Sequence, residues 1–410
     1  MAKNFKGSLI GGFDLLRLPD APTVSGTAGA DSIDVVFTDP SDVGGGSITS
    51  RTASATTGGT TTTATGTGTT VTVTSLSAAT YTVGGFVTND FGNSLDSATV
   101  SVQILFDRAV FFGGAGNDDT RMDYVSVAST GNASTFGTCS ACTRLSGGIG
   151  STTRGVVGSE VGYQKNYQYV TIASTGNAQD FGELINRNVP YPHNWGGNYS
   201  PANFSNGTRG LTYGGYWDAG DGGSTYRNGI EYITIASTGN GTDFGDAVLA
   251  AYARAGFASS TRGVCGGGQG GSGNTDSIDY ITIASTGNGT DFGNLSSGRR
   301  LLSAASSSTR GVFAGGYTSS NVNTIDYITI ASTGNATDFG DLTAVRRQMG
   351  STGSNLRGLF AGGTGSSGGV KSIDYITFAS TGNASDFGDL SGSYSRFGSG
   401  ATSSNHGGLH

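Results

Sequence analysis

The sequence has few charged residues, few prolines and few cysteines, and each shortage excludes a class of protein. Aspartate, glutamate, lysine and arginine make up only 12% of the 410 residues, and the net charge is −7. Such a chain has no basic patch to displace counterions from a nucleic-acid backbone, so nucleic-acid binding is not expected. No apolar run reaches the ~20 residues that cross a bilayer, and the first residues lack the pattern of a signal peptide, so membrane insertion is not expected either. Six prolines beside 73 glycines exclude collagen, which needs many prolines and a strict three-residue period.

Cysteine and histidine are too rare to indicate a cofactor or a metal centre. Cys139 and Cys142 form one C-x-x-C pair with no second pair, and Cys265 is isolated. A zinc site needs a fuller ligand set, and a redox pair needs a thioredoxin-like setting. The three histidines have no sequence context of a Ser-His-Asp set. We therefore predict no cofactor, no metal site and no catalytic residue, although the carboxylate pair of a glycan-degrading enzyme can form from residues far apart in sequence.

A repeated sequence occupies the last three quarters of the chain. One copy reads DYITIASTGNATDFGDL from Asp326, and six copies occur. We expect Asn335 and the aspartate of Asp-Phe-Gly to cap turns. An arginine, followed by Gly in all copies but the first, precedes each copy at Arg108, Arg154, Arg209, Arg262, Arg310 and Arg357. These arginines are 46 to 55 residues apart, a period that is typical of propeller blades with four strands.

Within one copy the residue pattern predicts four antiparallel strands. Residues 311–314 form a short apolar segment before a Gly-Gly turn, 327–331 alternate β-forming residues, Phe339 starts an outer strand, and 349–354 form a weak strand of small residues. The first copy lacks its own first strand, and 397–404 provide a spare one at the end of the chain. We therefore predict an all-β fold with a six-bladed β-propeller that the C-terminal strand closes.

The repeat resembles the kelch repeat. A Gly-Gly doublet follows the apolar strand in most copies, Tyr327 falls near the kelch tyrosine, and Phe339 stands where kelch has tryptophan. Arg299 and Arg346 lie near the arginine that follows that tryptophan in kelch. The second copy lacks the doublet. The resemblance covers residues 105–410 and implies a kelch-like propeller, a fold that serves many functions.

Residues 19–104 resemble a fibronectin type III domain. Residues 33–37 alternate like its second strand, and Leu76 and Tyr81 resemble the leucine and tyrosine of its corner. The usual core tryptophan is absent, and Val36 or Phe37 takes its place. The resemblance implies an immunoglobulin-like β-sandwich.

An N-terminal arm, residues 1–18, precedes this domain. Its apolar residues are scattered among glycines and polar residues, so it cannot bury a core by itself. One interpretation is a disordered tail, and the other is an arm that anchors the chain to another protein. The candidate anchoring residues are Phe5, Phe13, Leu15 and Leu16.

Two insertions interrupt the regular spacing of the copies. From the repeat Phe to the next repeat Arg there are 18 residues in four copies but 28 between Phe181 and Arg209, and Arg209 to Tyr232 spans 23 residues instead of 15 to 18. In an up-and-down blade both loops emerge on one face. Their aromatic residues are typical of binding loops, although they also fit loops that hold only themselves together. The candidate ligand-binding residues are Tyr191, His193, Trp195, Tyr199, Tyr216, Trp217 and Tyr226.

Near-identical blades, abundant Gly, Ser, Thr and Asn, and a fibronectin-like spacer resemble the tail-fibre and appendage proteins of marine bacteriophages. The resemblance implies a virion protein assembled in the host cytoplasm, a homo-oligomer or present in several copies. Its arm would bind other virion proteins, and its propeller would bind a host-surface glycan or protein. A purely structural fibre or capsid-decoration subunit is one alternative, and a propeller glycan-degrading enzyme is another.

Overall fold

The computed structural model describes residues 16–29, 32–76, 79–104, 107–114, 120–140, 148–158, 166–183, 198–199, 201–217, 225–392 and 400–409. The chain divides into two compact units, residues 1–106 and 107–410. Regular structure in the described residues is β-strand, apart from one short 3-10 helix, η1 (Gly407–Leu409). The predicted all-β fold is therefore confirmed. None of the described segments is a helix of the length and apolarity that a membrane span requires.

The first unit contains two antiparallel sheets. Its strands are β1 (Thr23–Ala28), β2 (Ile33–Thr38), β3 (Ser50–Thr57), β4 (Thr60–Gly66), β5 (Thr70–Val73), β6 (Ala79–Asn89), β7 (Gly92–Asn93) and β8 (Val100–Ile104). One sheet has the order β1-β2-β5, and the other has the order β4-β3-β6-β7 with β8 also paired to β6. The hydrophobic core of the unit draws residues from both sheets.

Strand β2 shows how the alternation of the sequence builds this core. Ile33, Val35 and Phe37 are buried, while the side chains between them are exposed. Val36 is 40% exposed and Phe37 only 3%, so of the two residues considered for the core aromatic position, Phe37 is the buried one. Leu76 and Tyr81 are buried in the same core.

In the residues that the structure describes, the second unit contains six antiparallel sheets of four or five strands and two further sheets of two strands each. The six larger sheets correspond to the six copies of the repeat, and we call them repeat sheets 1 to 6. The first three copies contain β9 (Arg108–Phe112), β10 (Arg121–Ser126), β11 (Ser134–Thr138), β12 (Gly148–Gly150), β13 (Arg154–Gly158), β14 (Asn166–Thr171), β15 (Gln179–Glu183), β16 (Asn198–Tyr199), β17 (Ala202–Ser205), β18 (Arg209–Trp217), β19 (Thr225–Thr234) and β20 (Thr242–Asp246). The fourth and fifth contain β21 (Ala255–Ala258), β22 (Arg262–Gly266), β23 (Gln269–Gly270), β24 (Gly273–Asn274), β25 (Ser277–Thr282), β26 (Thr290–Asn294), β27 (Ser303–Ser306), β28 (Arg310–Ala314), β29 (Thr324–Thr329) and β30 (Thr337–Asp341). The remainder are β31 (Gly350–Gly353), β32 (Arg357–Ala361), β33 (Thr364–Gly365), β34 (Gly368–Gly369), β35 (Ser372–Thr377), β36 (Ser385–Asp389) and β37 (Gly400–Ser403).

Each repeat sheet has four main strands, which we call A to D from one edge to the other. Strand B begins at the repeat Arg, strand C holds the repeat Tyr, and strand D holds the repeat Phe. Strand A is β12, β17, β21, β27 or β31 in sheets 2 to 6. In sheet 1 it is β37, which pairs with β9 so that Gly400 lies opposite Phe112 and Ser403 opposite Ala109. The last described strand of the chain therefore belongs to the sheet of the first copy.

The A strands contact one another in a closed cycle. The contacts run from β12 to β17, β21, β27, β31 and β37, and from β37 back to β12. Small residues dominate these strands, as in Ser-Ala-Ala-Ser of β27, and they permit this close approach. Residues from all six A strands and His406 line a cavity of about 50 Å³. His406 Nε2 lies 3.0 Å from the Gly150 carbonyl oxygen.

Apolar side chains fill the spaces between neighbouring repeat sheets. Val312 and Phe339 of sheet 5 share a cluster with Phe360 of sheet 6. Phe111 of sheet 1 likewise shares a cluster with Leu359 of sheet 6, so the last and first sheets pack together as the others do.

Candidate functional site

The repeat arginine joins neighbouring sheets in every copy. Each arginine stacks on the repeat tyrosine of its own sheet, with 4.3 to 5.0 Å between Cζ and the ring centroid. Each also donates a hydrogen bond to a carbonyl oxygen of a neighbouring sheet, as Arg310 does to Phe378 at 2.7 Å. The repeat tyrosine in turn meets the repeat phenylalanine edge to face, at 5.9 Å for Tyr327 and Phe339. These residues hold the sheets together.

The repeat asparagine makes a second link between sheets. Asn335 Oδ1 in sheet 5 accepts a hydrogen bond from the backbone N–H of Asn294 in sheet 4 at 3.0 Å, and all six copies make the equivalent bond. The glycine of Asp-Phe-Gly lies against the same turn, because a Cβ on Gly293 would overlap the carbonyl oxygen of Gly334. The sequence predicts that Asn335 caps a turn, whereas its Oδ1 accepts a bond from the outer strand of the neighbouring sheet.

Buried ion pairs make a third link in part of the second unit. Arg299 Nη1 lies 2.8 Å from Asp326 Oδ2, and Arg346 Nη2 lies 2.6 Å from Asp374 Oδ2, with all four side chains buried. Arg254 pairs with Asp279 in the same way. We call the contacts that hold the repeat sheets together the framework. Arg299 and Arg346, the arginines that the kelch resemblance singled out, are buried parts of it.

Because the residues that recur in every copy make contacts within and between the sheets, the positions that differ between copies are the ones available for ligand contacts. The connections from strand B to strand C and from strand D to the next strand A emerge at one end of the sheets, and we call this end the loop face. Two positions on it vary between copies: the residue after the Gly-Gly doublet and the eighth residue after the repeat Phe. The first position holds Tyr216, Gln269, Tyr317 and Thr364, and the second holds Tyr252, Arg300 and Arg347.

The backbone pairs these two variable positions within each sheet. Isolated antiparallel bridges join Tyr252 to Gln269, Arg300 to Tyr317 and Arg347 to Thr364. The two sets of side chains are consequently brought together on the loop face of sheets 4, 5 and 6.

Three tyrosines form a cluster where sheets 3 and 4 meet. Tyr216 and Tyr226 are partners in the register of β18 and β19, and their ring centroids are 5.5 Å apart. Tyr252 lies 5.2 Å from Tyr216 and 6.0 Å from Tyr226. Its hydroxyl donates to Gln269 Oε1 at 3.0 Å. All three rings are half-buried, so each keeps some surface accessible to a ligand.

Arg300 and Arg347 continue this feature onto sheets 5 and 6. Their Cζ atoms lie 5.3 and 4.8 Å from the centroid of the Tyr317 ring. The Arg300 charge also reaches the tyrosine cluster: burial raises the pKa of Tyr252, and Arg300 opposes that rise. We call the whole set the tyrosine–arginine row, consisting of Tyr216, Tyr226, Tyr252, Arg300, Tyr317 and Arg347.

Hydrogen bonds between loops hold the row in place. Asn274 Nδ2 of sheet 4 donates to the carbonyl oxygens of Tyr317 and Thr318 at 3.1 and 3.0 Å. Asn321 of sheet 5 makes the equivalent bond to the Thr364 carbonyl oxygen of sheet 6 at 3.0 Å. A backbone held from the neighbouring sheet presents its side chains with little loss of entropy on binding.

The same kink in the chain follows each residue of the second variable position. Ala253, Leu301 and Gln348 have φ values of 56°, 57° and 58°, a region that residues other than glycine rarely adopt. The three copies therefore share one local backbone geometry and differ in the side chain that precedes it.

Four of the seven residues predicted to bind ligand lie together in the described part of the chain. Tyr216 and Tyr226 belong to the row. The backbones of Tyr199 and Trp217 lie beside them, since β16 pairs Tyr199 with Tyr216 and Asn198 with Trp217. Tyr191, His193 and Trp195 lie outside the described residues.

Of the predicted anchoring residues, Leu16 is 69% exposed. Phe5, Phe13 and Leu15 lie outside the described residues.

Sequence reasoning missed Tyr252, Arg300, Tyr317 and Arg347. The signal was present, because alignment of the copies on the repeat Phe and the Gly-Gly doublet places them at two shared positions. The four residues lie in loops of ordinary length, so unequal loop length does not identify them.

The row is a set of binding groups: aromatic faces, hydroxyls and guanidinium donors. Within the ranges that the structure describes, no group of three or more His, Cys, Asp or Glu side chains is arranged to hold a metal ion. Comparison with models of known protein families and with curated proteins gives no match to this chain.

Proposed function

We propose that this chain is a structural protein of a virion, a tail fibre or surface appendage, whose second unit binds a receptor on the host surface. In this proposal the six repeat sheets are the blades of a kelch-like β-propeller closed by β37. Residues 19–104 are a fibronectin type III-like spacer, and the N-terminal arm anchors the chain to other virion proteins.

Three regular features support the propeller. The A strands contact one another in a cycle. The repeat arginine makes its link to a neighbouring sheet in all six copies, and so does the repeat asparagine. A ring of equivalent blades requires the link between the last and first copies to equal the others, and the same hydrogen bonds occur there.

The observation that supports receptor binding is that the invariant and the variable positions of the repeat have different roles. Residues that recur in every copy bind the sheets to one another, whereas the two variable positions on the loop face hold tyrosine and arginine. Tyrosine and arginine are enriched in binding hot spots, because they offer a large contact area and directed hydrogen bonds. Several copies on one particle would add avidity to a modest single-site affinity.

A glycan array tests this proposal with the full-length protein. We expect saturable binding that is lost in the Tyr216→Ala/Tyr226→Ala/Tyr252→Ala variant. The matched control, Thr286→Ala/Thr333→Ala, changes exposed residues in the turns between strands C and D, at the opposite end of the sheets, and is expected to bind normally. Unchanged circular dichroism and melting temperature establish that each variant is folded. Equal binding by the tyrosine variant would contradict the proposed site.

A further inference from the structure

In each of two Arg-Arg pairs, the two neighbouring arginines have different surroundings. Arg299 and Arg346 are fully buried, and each pairs with an aspartate. Arg300 and Arg347, the next residues, are only half-buried. Neither of their guanidinium groups has an ion pair or a hydrogen bond with any residue that the structure describes. The framework therefore needs the first arginine of each pair, and the second is left without a counter-charge.

The surroundings of these two guanidinium groups are complementary to an anion. Both stack toward the ring of Tyr317, so two positive charges flank one aromatic side chain. The Nε atoms of Arg300 and Arg347 are buried and have no acceptor. A ligand from solvent does not reach these enclosed Nε atoms, so the Nη1 and Nη2 atoms of the two half-buried side chains are the donors that a ligand oxygen would contact. Guanidinium groups bind carboxylate, sulfate and phosphate oxygens through paired, charge-assisted hydrogen bonds.

The neighbouring tyrosine cluster indicates what carries the anionic groups. Tyr216, Tyr226 and Tyr252 present three half-buried rings within 6.0 Å of one another. Flat apolar rings with a polar tip suit the faces and hydroxyls of sugar rings. An acidic peptide would satisfy the arginines but would make less use of three adjacent aromatic rings.

We infer that the tyrosine–arginine row binds an acidic polysaccharide, with sugar rings on the tyrosines and with carboxylate or sulfate groups on Arg300 and Arg347. This inference rests on the proposed function and adds the chemical class of the receptor. The net charge of the protein is −7, so the protein as a whole does not attract a polyanion at long range, and recognition depends on these short-range contacts.

The test is a titration of the full-length protein with polysaccharides of known charge. Alginate carries carboxylates, carrageenan carries sulfates, and dextran is neutral; polyglutamate tests an acidic peptide. We expect binding to alginate or carrageenan, with the stronger of the two identifying the anionic group, and at least tenfold weaker binding to dextran and polyglutamate. Binding should weaken as salt is raised, because the arginines are partly exposed.

Matched variants separate the row from general charge effects. Arg347→Gln and Lys371→Gln each remove one positive charge from the sixth copy, and the Lys371 ammonium bonds to the Gly392 carbonyl oxygen outside the row. We expect Arg347→Gln and Arg300→Gln to weaken binding by about tenfold or more, and Lys371→Gln by less than about twofold. Arg347→Lys should recover only part of the loss, because lysine cannot form the paired bonds.

The outcomes distinguish this inference from the proposed function. Equal weakening by Arg347→Gln and Lys371→Gln would overturn the inference, and so would binding to polyglutamate as strong as to the acidic polysaccharides. Binding to neutral glycans that is lost in the triple tyrosine variant and kept in both arginine variants would overturn it while leaving receptor recognition in place. Failure to bind any glycan or any cell would contradict both.

Discussion

Arg357 donates a hydrogen bond from Nη1 to the carbonyl oxygen of Val127 at 3.1 Å, across 230 positions of the chain. Arg310 makes the same bond to Phe378, between sheets 5 and 6. A second contact repeats in the same way, since the backbone N–H of Ser391 donates to Asp123 as that of Thr343 does to Asp374, both at 2.9 Å. The last and first copies are therefore joined by the contacts that join copies adjacent in sequence.

Removal of residues 400–410 tests the importance of the last strand. The truncation deletes β37 and leaves the inner edge of β9 without a partner. We expect the second unit to unfold at a lower urea concentration and over a broader range than in the intact protein, because one sheet loses its A strand and the cycle of A strands is broken. Intrinsic fluorescence and circular dichroism measure this. Removal of His410 alone is the control, and superimposable unfolding curves for the two truncations would contradict the prediction.

Asn335→Ala tests the link between the outer strands. The change removes the acceptor of the Asn294 N–H. We expect a loss of about 1 kcal/mol in the free energy of unfolding, typical of one hydrogen bond. Asn383→Ala removes the equivalent bond to Asp341 and is expected to cost about the same. A cost in one copy and none in the other would show that the links are not equivalent.

The paired Arg299 and the unpaired Arg300 are expected to contribute differently to the stability of the protein. Asp326→Ala leaves the Arg299 guanidinium buried without its partner, so we expect a loss of about 3–5 kcal/mol. The double variant Asp326→Ala/Arg299→Met should be more stable than Asp326→Ala alone, because no charge is then left unpaired. Arg300→Met should change stability by less than about 1 kcal/mol, since that guanidinium has no ion pair in the described structure. Chemical denaturation measures all three, and a large loss in Arg300→Met would assign this residue to the framework.

The buried thiol of Cys265 is expected to make the protein less stable in alkaline solution. Burial raises the pKa of this thiol to about 12, from 9.0 in an unfolded chain. Below pH 9 the thiol is protonated in both states, and its full contribution to stability is present. Above pH 9 the unfolded chain releases the proton while the folded protein retains it, so the free energy of unfolding falls as the pH rises.

The Cys265→Ala variant isolates this effect. Between pH 9 and 10 we expect the wild type to lose about 1 kcal/mol more than the variant. The comparison is confined to this window because burial also raises the pKa of Tyr213. Above pH 10.0, the usual pKa of a tyrosine, Tyr213 therefore lowers the free energy of unfolding further. Parallel losses in the two proteins would contradict the predicted titration. Urea denaturation at each pH provides the measurement.

The strands of the repeat were predictable because their signal is local. Residues 311–314 were predicted as a strand, and β28 spans Arg310–Ala314. The strand predicted at 349–354 is β31, Gly350–Gly353. Phe339 lies in the middle of β30 instead of at its start, because strand pairing with β29 extends back to Thr337.

The long-range contacts were less predictable. The partner of Asn335 lies 41 residues earlier, and nothing in the local sequence identifies it. Arg254 pairs with Asp279 from the tenth position after the repeat Phe, whereas Arg299 and Arg346 pair from the seventh, so alignment of the copies alone assigns the wrong residue to that pair. The tyrosine–arginine row depends on bridges between loops that sequence spacing does not show.

Adsorption of the full-length protein to intact cells tests the central claim most directly. Fluorescently labelled protein is titrated onto a panel of marine bacteria, beside the triple tyrosine variant and the Thr286→Ala/Thr333→Ala control. The account predicts saturable binding to at least one strain, lost with the loop-face variant and kept with the control. Folded protein that adsorbs to no strain, or a loop-face variant that adsorbs as well as the wild type, would contradict it.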